Sequence, residues 1–194
     1  MRITGGQFRG RTLATPRDAQ VRPTADKVRQ AIFNILAHNH FGCGFSLEGA
    51  RVADLFAGTG AMGIEAISRG ARFCLFVDDS AESRALIREN VEGFQLTGAS
   101  KIWRRDATQL GPMPAGSGGP FHLVFLDPPY REGLVPPALN SLADGNWLAA
   151  NALLLAETAE DEVLDVPSAF TLLDERVYGD TTVRLLRSPQ RGPQ

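Results

Sequence analysis

Two stretches of this chain carry residues suited to chemistry. Leu126-Asp127-Pro128-Pro129-Tyr130 closes an apolar run with a carboxylate, two residues that lack an N–H, and an aromatic ring. Asp127 can accept one hydrogen-bond donor and the Pro128 carbonyl a second, with Pro129 leaving the backbone there without an N–H of its own. Tyr130 offers a ring face on which a base can stack. Standing alone, the same string is a strand-end turn, since Pro and Asp both favour turns. The second stretch runs from Arg51 to Gly63: an apolar segment ending in Asp54, then Phe56-Ala57-Gly58-Thr59-Gly60, then a helical pattern. It reads as a strand, a tight turn and a helix N-terminus, the cofactor corner of an α/β sheet. Gly58 and Gly60 can take backbone angles closed to other residues and let a ligand approach the main chain. The N–H groups that open the next helix attract an anionic group.

Gly58-Thr59-Gly60-Ala61-Met62-Gly63 fits the G-x-G-x-x-G string of dinucleotide folds. Two features point away from a dinucleotide. Asp54 would face a pyrophosphate unfavourably, and Asp-Pro-Pro-Tyr would be left without a purpose. Asp-Leu-Phe-Ala-Gly-Thr-Gly followed by Asp-Pro-Pro-Tyr resembles the S-adenosylmethionine-dependent methyltransferases that act on exocyclic amines of nucleic-acid bases. Such an amine is a poor nucleophile because its lone pair is delocalised into the ring, whereas the methyl of a sulfonium is already activated. Asp127 and the Pro128 carbonyl can hold the two N–H bonds, so that the lone pair lies along the methyl–sulfur axis. Alignment of this kind is worth roughly 7–11 kcal/mol, against about 1–3 kcal/mol for stacking on Tyr130.

The remaining elements must bring these stretches together. Residues 1–13 alternate enough for a short hairpin bent at Gly5-Gly6 or Gly10. Thr24 can cap a helix over residues 25–37, whose apolar face is Val28, Ala31, Ile32, Ile35 and Leu36, with Lys27, Arg29 and Gln30 off that face. Arg72 to Val77 reads as a buried parallel strand ending at Asp78. A carboxylate about 20 residues past the glycine turn is placed to bind ribose hydroxyls. Its alternative is helix capping by Asp79 or Ser80. Residues 101–105 form a third strand that ends at Asp106 and Ala107; Asp106 could accept from an adenine amine, or be a plain loop aspartate. Residues 111–120 are a Gly/Pro/Ser-rich flexible connector. Residues 121–126 and 152–157 supply further strands, and 170–173 with 181–186 an antiparallel pair around Tyr178-Gly179-Asp180.

With 194 residues the chain suits one domain, and no apolar run is long enough to span a bilayer. Cys43 and Cys74 lack metal-ligand spacing, in keeping with a reducing cytosol and no metal. The first 30 residues hold seven basic and two acidic side chains, a balance of +5, which leaves −7 on the rest of a chain with net charge −2. A basic arm on an acidic body is a nucleic-acid footprint; its alternative is a solvated tail.

The arm also carries a finer resemblance. Arg2-Ile3-Thr4-Gly5-Gly6-Gln7-Phe8-Arg9-Gly10-Arg11, then Arg22-Pro23-Thr24-Ala25-Asp26-Lys27-Val28-Arg29, is similar to the bacterial small-subunit ribosomal RNA guanine-N2 methyltransferase family, as is Tyr178-Gly179-Asp180-Thr181 near the end. The resemblance implies a Rossmann-like class I methyltransferase fold: an α/β domain with a mostly parallel seven-stranded sheet, an antiparallel last strand and a small N-terminal arm. It implies an arm over 1–23, a methyltransferase domain over 24–187 and a disordered tail over 188–194. S-adenosylmethionine is expected at Asp54, Phe56, Ala57, Gly58, Thr59, Gly60, Asp78, Asp106 and Ala107, with Asp127, Pro128, Pro129 and Tyr130 as the catalytic set. Arg2, Arg9, Arg11, Arg22 and Lys27 are expected to contact RNA. The implied activity is cytoplasmic methylation of one guanosine in 16S ribosomal RNA within a partly assembled small subunit. One departure is that family members often have Glu and Asp two residues apart where this chain has Asp78 and Ser80. The rival readings are an adenine-N6 DNA methyltransferase and a non-catalytic RNA-binding assembly factor on the same fold.

Overall fold

A computed structural model describes residues 1–16, 23–38 and 44–189. Its elements are α1 (Pro23–His38), β1 (Arg51–Leu55), α2 (Ala61–Ser68), β2 (Phe73–Val77), α3 (Ala81–Gly93), β3 (Ser100–Trp103), β4 (Phe121–Leu126), α4 (Val135–Asp144), β5 (Leu148–Ala159), β6 (Thr171–Tyr178) and β7 (Thr181–Arg187). The strands form one seven-stranded sheet in the order β3-β2-β1-β4-β5-β7-β6. β1 to β5 pair in parallel, and β7 runs antiparallel between β5 and β6.

Both faces of the parallel strands are covered, which is why they read as continuous apolar runs. Alternation splits each strand between two cores. Val52, Leu123, Phe125, Leu153 and Leu155 face α1, α2 and α3, joined by Ile32, Ile64 and Ile87. Ala53, Leu55, Val124, Leu126 and Leu154 face α4 and Trp147. The chain leaves β1 for β2 on one side and reaches β4 on the other, so strand order reverses at β1, the place where such sheets bind ligands.

Several expectations change. α1 begins at Pro23, two residues before the expected start; proline suits a first helical position because its missing N–H would be unpaired there anyway. Arg29, placed off the apolar face, is buried. Its guanidinium pairs with Asp26 at 2.9 Å and with Glu65 at 3.3 Å, and donates to the Arg2 carbonyl. Residues 111–120 are a packed segment and not a loose connector. Trp147 Nε1 donates to the Gly111 carbonyl at 2.8 Å, Arg51 reaches the Gly119 carbonyl at 3.2 Å, and Ser117 is buried. Ser188, expected to open a disordered tail, is also buried, because its N–H donates to the Ala152 carbonyl at 2.9 Å and continues the edge of β5. Residues 190–194, like Arg22 and Cys43, lie outside the described residues. Cys74 is a buried free thiol, as expected of a core strand.

The N-terminal segment is a closed loop docked on the body. Arg2 bridges Thr12, the Ile3 N–H donates to the Arg11 carbonyl at 3.0 Å, and Ile3 and Leu13 are buried. Glu65 on α2 holds it, accepting from the Thr4 N–H at 2.8 Å and the Thr4 hydroxyl at 2.7 Å. Ser68 adds bonds to the Phe8 N–H at 2.9 Å and the Gly5 carbonyl at 2.6 Å.

Close packing of α2 on β2 rests on Gly63, where a Cβ would lie 2.3 Å from the Phe76 ring and 2.4 Å from the Cys74 sulfur. Gly63→Ala is therefore expected to destabilise the fold by about 1–3 kcal/mol in urea denaturation. Gly93→Ala, at the end of α3 with open space around it, should be neutral or stabilising.

Candidate functional site

β1 and β4 end side by side, and β5 beside them runs on to Ala159. Leu55 pairs with Leu126, and Leu126 with Ala156, so Asp127 and Glu157 follow as neighbours on adjacent strands. Alternation directs Asp54, Asp127 and Glu157 to the face covered by α1 and α2.

The turn after β1 is held by two carboxylates. Asp54, buried, accepts the Gly63 N–H at 2.9 Å. α2 has no capping side chain of its own at Gly60, so Asp54 supplies the missing acceptor at that helix start. The chain's own carboxylate thus takes one of the N–H groups that open this helix. From the next strand, Asp78 accepts the Gly58 N–H at 2.9 Å with one oxygen and the Ser80 N–H at 2.9 Å with the other. The Ser80 hydroxyl then caps α3 by accepting from the Ser83 N–H at 3.3 Å. Phe56 and Gly58 adopt φ of 59° and 55°, a left-handed path across the strand end that is uncommon for phenylalanine.

Two cavities flank this corner. The first, of about 680 Å³, extends from Phe56 and Gly58 past Asp78, Asp106 and Ala107 to Asp127, Pro128 and Pro129. The second, of about 790 Å³, lies between α1, β5 and the β6–β7 turn, with Arg29, Asp54, Glu157 and Asp180 in its wall. Phe56, Gly58, Asp127 and Tyr130 line both cavities. The Tyr130 hydroxyl is 2.8 Å from Thr181 Oγ1, which ties the ring to the β6–β7 turn.

The structure therefore distributes the expected cofactor residues. Phe56, Gly58, Asp78, Asp106 and Ala107 line the first cavity, whereas Asp54, Ala57 and Thr59 line the second. Gly60 supports the turn from below, against Phe76. Asp106 borders the first cavity, and one of its oxygens accepts from the Thr108 N–H at 2.8 Å and hydroxyl at 2.6 Å. Among the expected RNA contacts, Arg2, Arg9 and Lys27 are exposed on the docked segment and α1. Arg11 is also exposed, but its guanidinium stacks 4.2 Å from the Phe94 ring centre and donates to the Gly93 carbonyl at 2.7 Å. His122 is at the opposite end of β4, where it accepts the Arg51 N–H.

The first cavity suits a cationic ligand. Its wall carries Asp78, Asp79, Asp106, Asp127 and Glu132 against Arg105 alone, and Arg105 is engaged with the Leu110 carbonyl and the Trp103 ring. A pyrophosphate would be repelled there, whereas a sulfonium bearing an ammonium would be attracted. Among the described residues no group of three His, Cys, Asp or Glu side chains is arranged to hold a metal ion. No described helix is long and apolar enough to cross a membrane.

Burial makes the carboxylates of this corner hold their protons more tightly. Asp127 is reached by water through the cleft, but protein encloses its other sides, and that burial pushes its pKa up to about 6. Burial raises the Glu157 pKa well above the ordinary carboxylate range, with the charges of Asp127 and Asp54 adding to the effect and Arg29 opposing it. Burial also raises Asp54, against the pull of its bond from Gly63. Glu157 and Arg29 were not recognised as site residues from sequence. One signal was available for Glu157: like Asp54 and Asp127, it ends an apolar strand with a carboxylate.

The protein-family model for Conserved hypothetical protein 95 matches residues 1–187. Ribosomal RNA small subunit methyltransferase D of Escherichia coli K12 is 37% identical over 194 residues, spanning 99% of this chain and 92% of that protein. The protein of the same name from Haemophilus influenzae is 30% identical over 189 residues, 97% of this chain and 94% of that one. The solved structure of Escherichia coli yhhF superposes with a TM-score of 0.80 at 31% identity, covering 98% of this chain and 99% of that one.

Removing the Asp127 charge should stabilise the protein. Asp127→Asn is expected to raise Tm at pH 7.5 by about 2–4 °C, the shift of roughly 1 kcal/mol in a chain of this length, discounted for its contact with water. A raised native pKa means that the charge destabilises above about pH 6 and that the native carboxyl takes up its proton below that. The gain should therefore shrink as thermal melts are repeated from pH 7.5 down to pH 4.5.

Proposed function

The chain belongs to the Conserved hypothetical protein 95 family, that of ribosomal RNA small subunit methyltransferase D, and we propose that it methylates the N2 amine of a guanosine in 16S ribosomal RNA. Its methyl donor is S-adenosylmethionine. The observation that carries the reading is that Asp127 and Tyr130 form the shared wall of two cavities, so that a donor on one side and a base on the other meet at one carboxylate.

When bound, S-adenosylmethionine supplies a methyl carbon whose bond to a positive sulfur breaks with both electrons left on sulfur. Asp78 would hold the ribose hydroxyls with the lone pairs left over from Gly58 and Ser80, and Asp106 would accept from the adenine amine, with Ala107 leaving space for the ring. On the acceptor side, a base drawn out of its stack lies against the Tyr130 ring. Asp127 accepts one N–H of the exocyclic amine and the Pro128 carbonyl the other, which localises the nitrogen lone pair. As nitrogen bonds to the incoming carbon it becomes positively charged and acidic, and Asp127 is already placed to take the released proton. Arg2, Arg9 and Lys27 lie on the exposed surface of the docked segment and α1 and would contact RNA phosphates; Arg11 supports that surface by stacking on Phe94. The substrate in the cytoplasm is taken to be a partly assembled small subunit.

The test is transfer of tritiated methyl from S-adenosylmethionine to unmodified small subunits, their naked RNA and duplex DNA, followed by nucleoside analysis. N2-methylguanosine from the subunits is expected. Label recovered as N6-methyladenine in DNA, or no transfer to any acceptor, would overturn the reading. Asp127→Ala should lower kcat by roughly 10²–10⁴-fold while calorimetric binding of S-adenosylmethionine persists. In the wild-type protein the rate should fall with decreasing pH through about 6, as the Asp127 carboxylate is lost.

A further inference from the structure

The geometry points to Glu157 as the residue that reads the target base as guanine, by accepting its N1–H while Asp127 and the Pro128 carbonyl hold the neighbouring 2-amine. This inference rests on the function proposed above. Glu157 follows Ala156, which pairs with Leu126, so Glu157 stands beside Asp127 on the next parallel strand, a spacing of about 4.8 Å. Both line the second cavity, with Tyr130 and Thr181 on its rim.

Neither carboxylate receives a hydrogen bond or salt bridge from any described residue; Asp127 is open to the cleft and Glu157 is half-buried in the cavity wall. Arg29, the basic side chain of α1 in the same wall, is committed to Asp26, Glu65 and the Arg2 carbonyl. It offers Glu157 a favourable field and no bond. Two adjacent, unpartnered acceptors aimed into one cavity call for a ligand with two adjacent donors. The Watson–Crick edge of guanine presents N1–H next to the 2-amine. Adenine presents its amine next to a bare N1 lone pair, which has no N–H for Glu157 to accept. A site whose acceptor is left unpaired by the wrong substrate disfavours that substrate.

The test uses small subunits reconstituted with RNA carrying either guanosine or 2-aminopurine riboside at the mapped target. 2-Aminopurine keeps the 2-amine but has no N1–H. The wild-type chain should favour guanosine in kcat/KM by roughly 100-fold or more. Glu157→Gln should cut transfer to guanosine by a similar factor and bring the two substrates close to parity, because its amide N–H can donate to the bare N1. Its calorimetric affinity for S-adenosylmethionine should match the wild type. Glu157→Asp, which keeps the charge, should retain the guanosine preference at a lower rate. An undiminished guanosine preference in Glu157→Gln would overturn the assignment, as would a parallel loss of cofactor affinity. Absence of transfer to guanosine by the wild-type chain would instead overturn the proposed function itself.

Discussion

The whole corner depends on one hydrogen bond, that from the Gly63 N–H to the Asp54 carboxylate. A helix start carries unpaired N–H groups and a partial positive charge. In dinucleotide folds that end is left open for phosphate. Here the preceding strand delivers a carboxylate into it, and the glycine string that looks alike in both cases acquires the opposite ligand preference. With Asp54 taking one N–H of the helix end, Asp78, Asp79 and Asp106 give the cavity wall a negative field that favours positive charge.

The same arrangement concentrates negative charge at three neighbouring strand ends. Parallel pairing in register places Asp54, Asp127 and Glu157 together whether or not that favours stability, and enclosure raises the proton affinity of all three. A core evolved for stability alone would not place carboxylates there. Their cost is offset by packing elsewhere, notably the two apolar layers on either side of the sheet and the Glu65 cluster. Strain follows the same pattern, with Phe56 on a left-handed path at the junction of the two cavities.

Local chemistry was legible in the sequence and long-range partnership was not. The ends of β4 and α3 and the Ser80 cap follow from apolar runs and capping residues within a few positions of one another. The proximity of Glu157 to Asp127 depends on β5 lying next to β4, a fact of strand order and not of spacing. Arg29 looked solvent-facing by helical periodicity because its partner, Glu65, lies 36 residues away on another helix. The segment at 111–120 has the composition of a linker, yet its carbonyls are acceptors for Trp147 and Arg51, and composition does not encode that. The basic N-terminal stretch was read correctly as positively charged. That it is a folded loop stapled to α2 required knowing where Glu65 and Ser68 would be.

The position of β7 has a temporal consequence. It is the last strand in the chain but sits inside the sheet, between β5 and β6, and Thr181 at its start touches Tyr130. During synthesis, β1 to β5 can assemble in order as they emerge, and the first cavity with them. β6 has no strand to pair with until β7 has been made and inserted. The second cavity, walled by Met1 at one end of the chain and Thr181 near the other, needs both ends of the chain in place before it is complete.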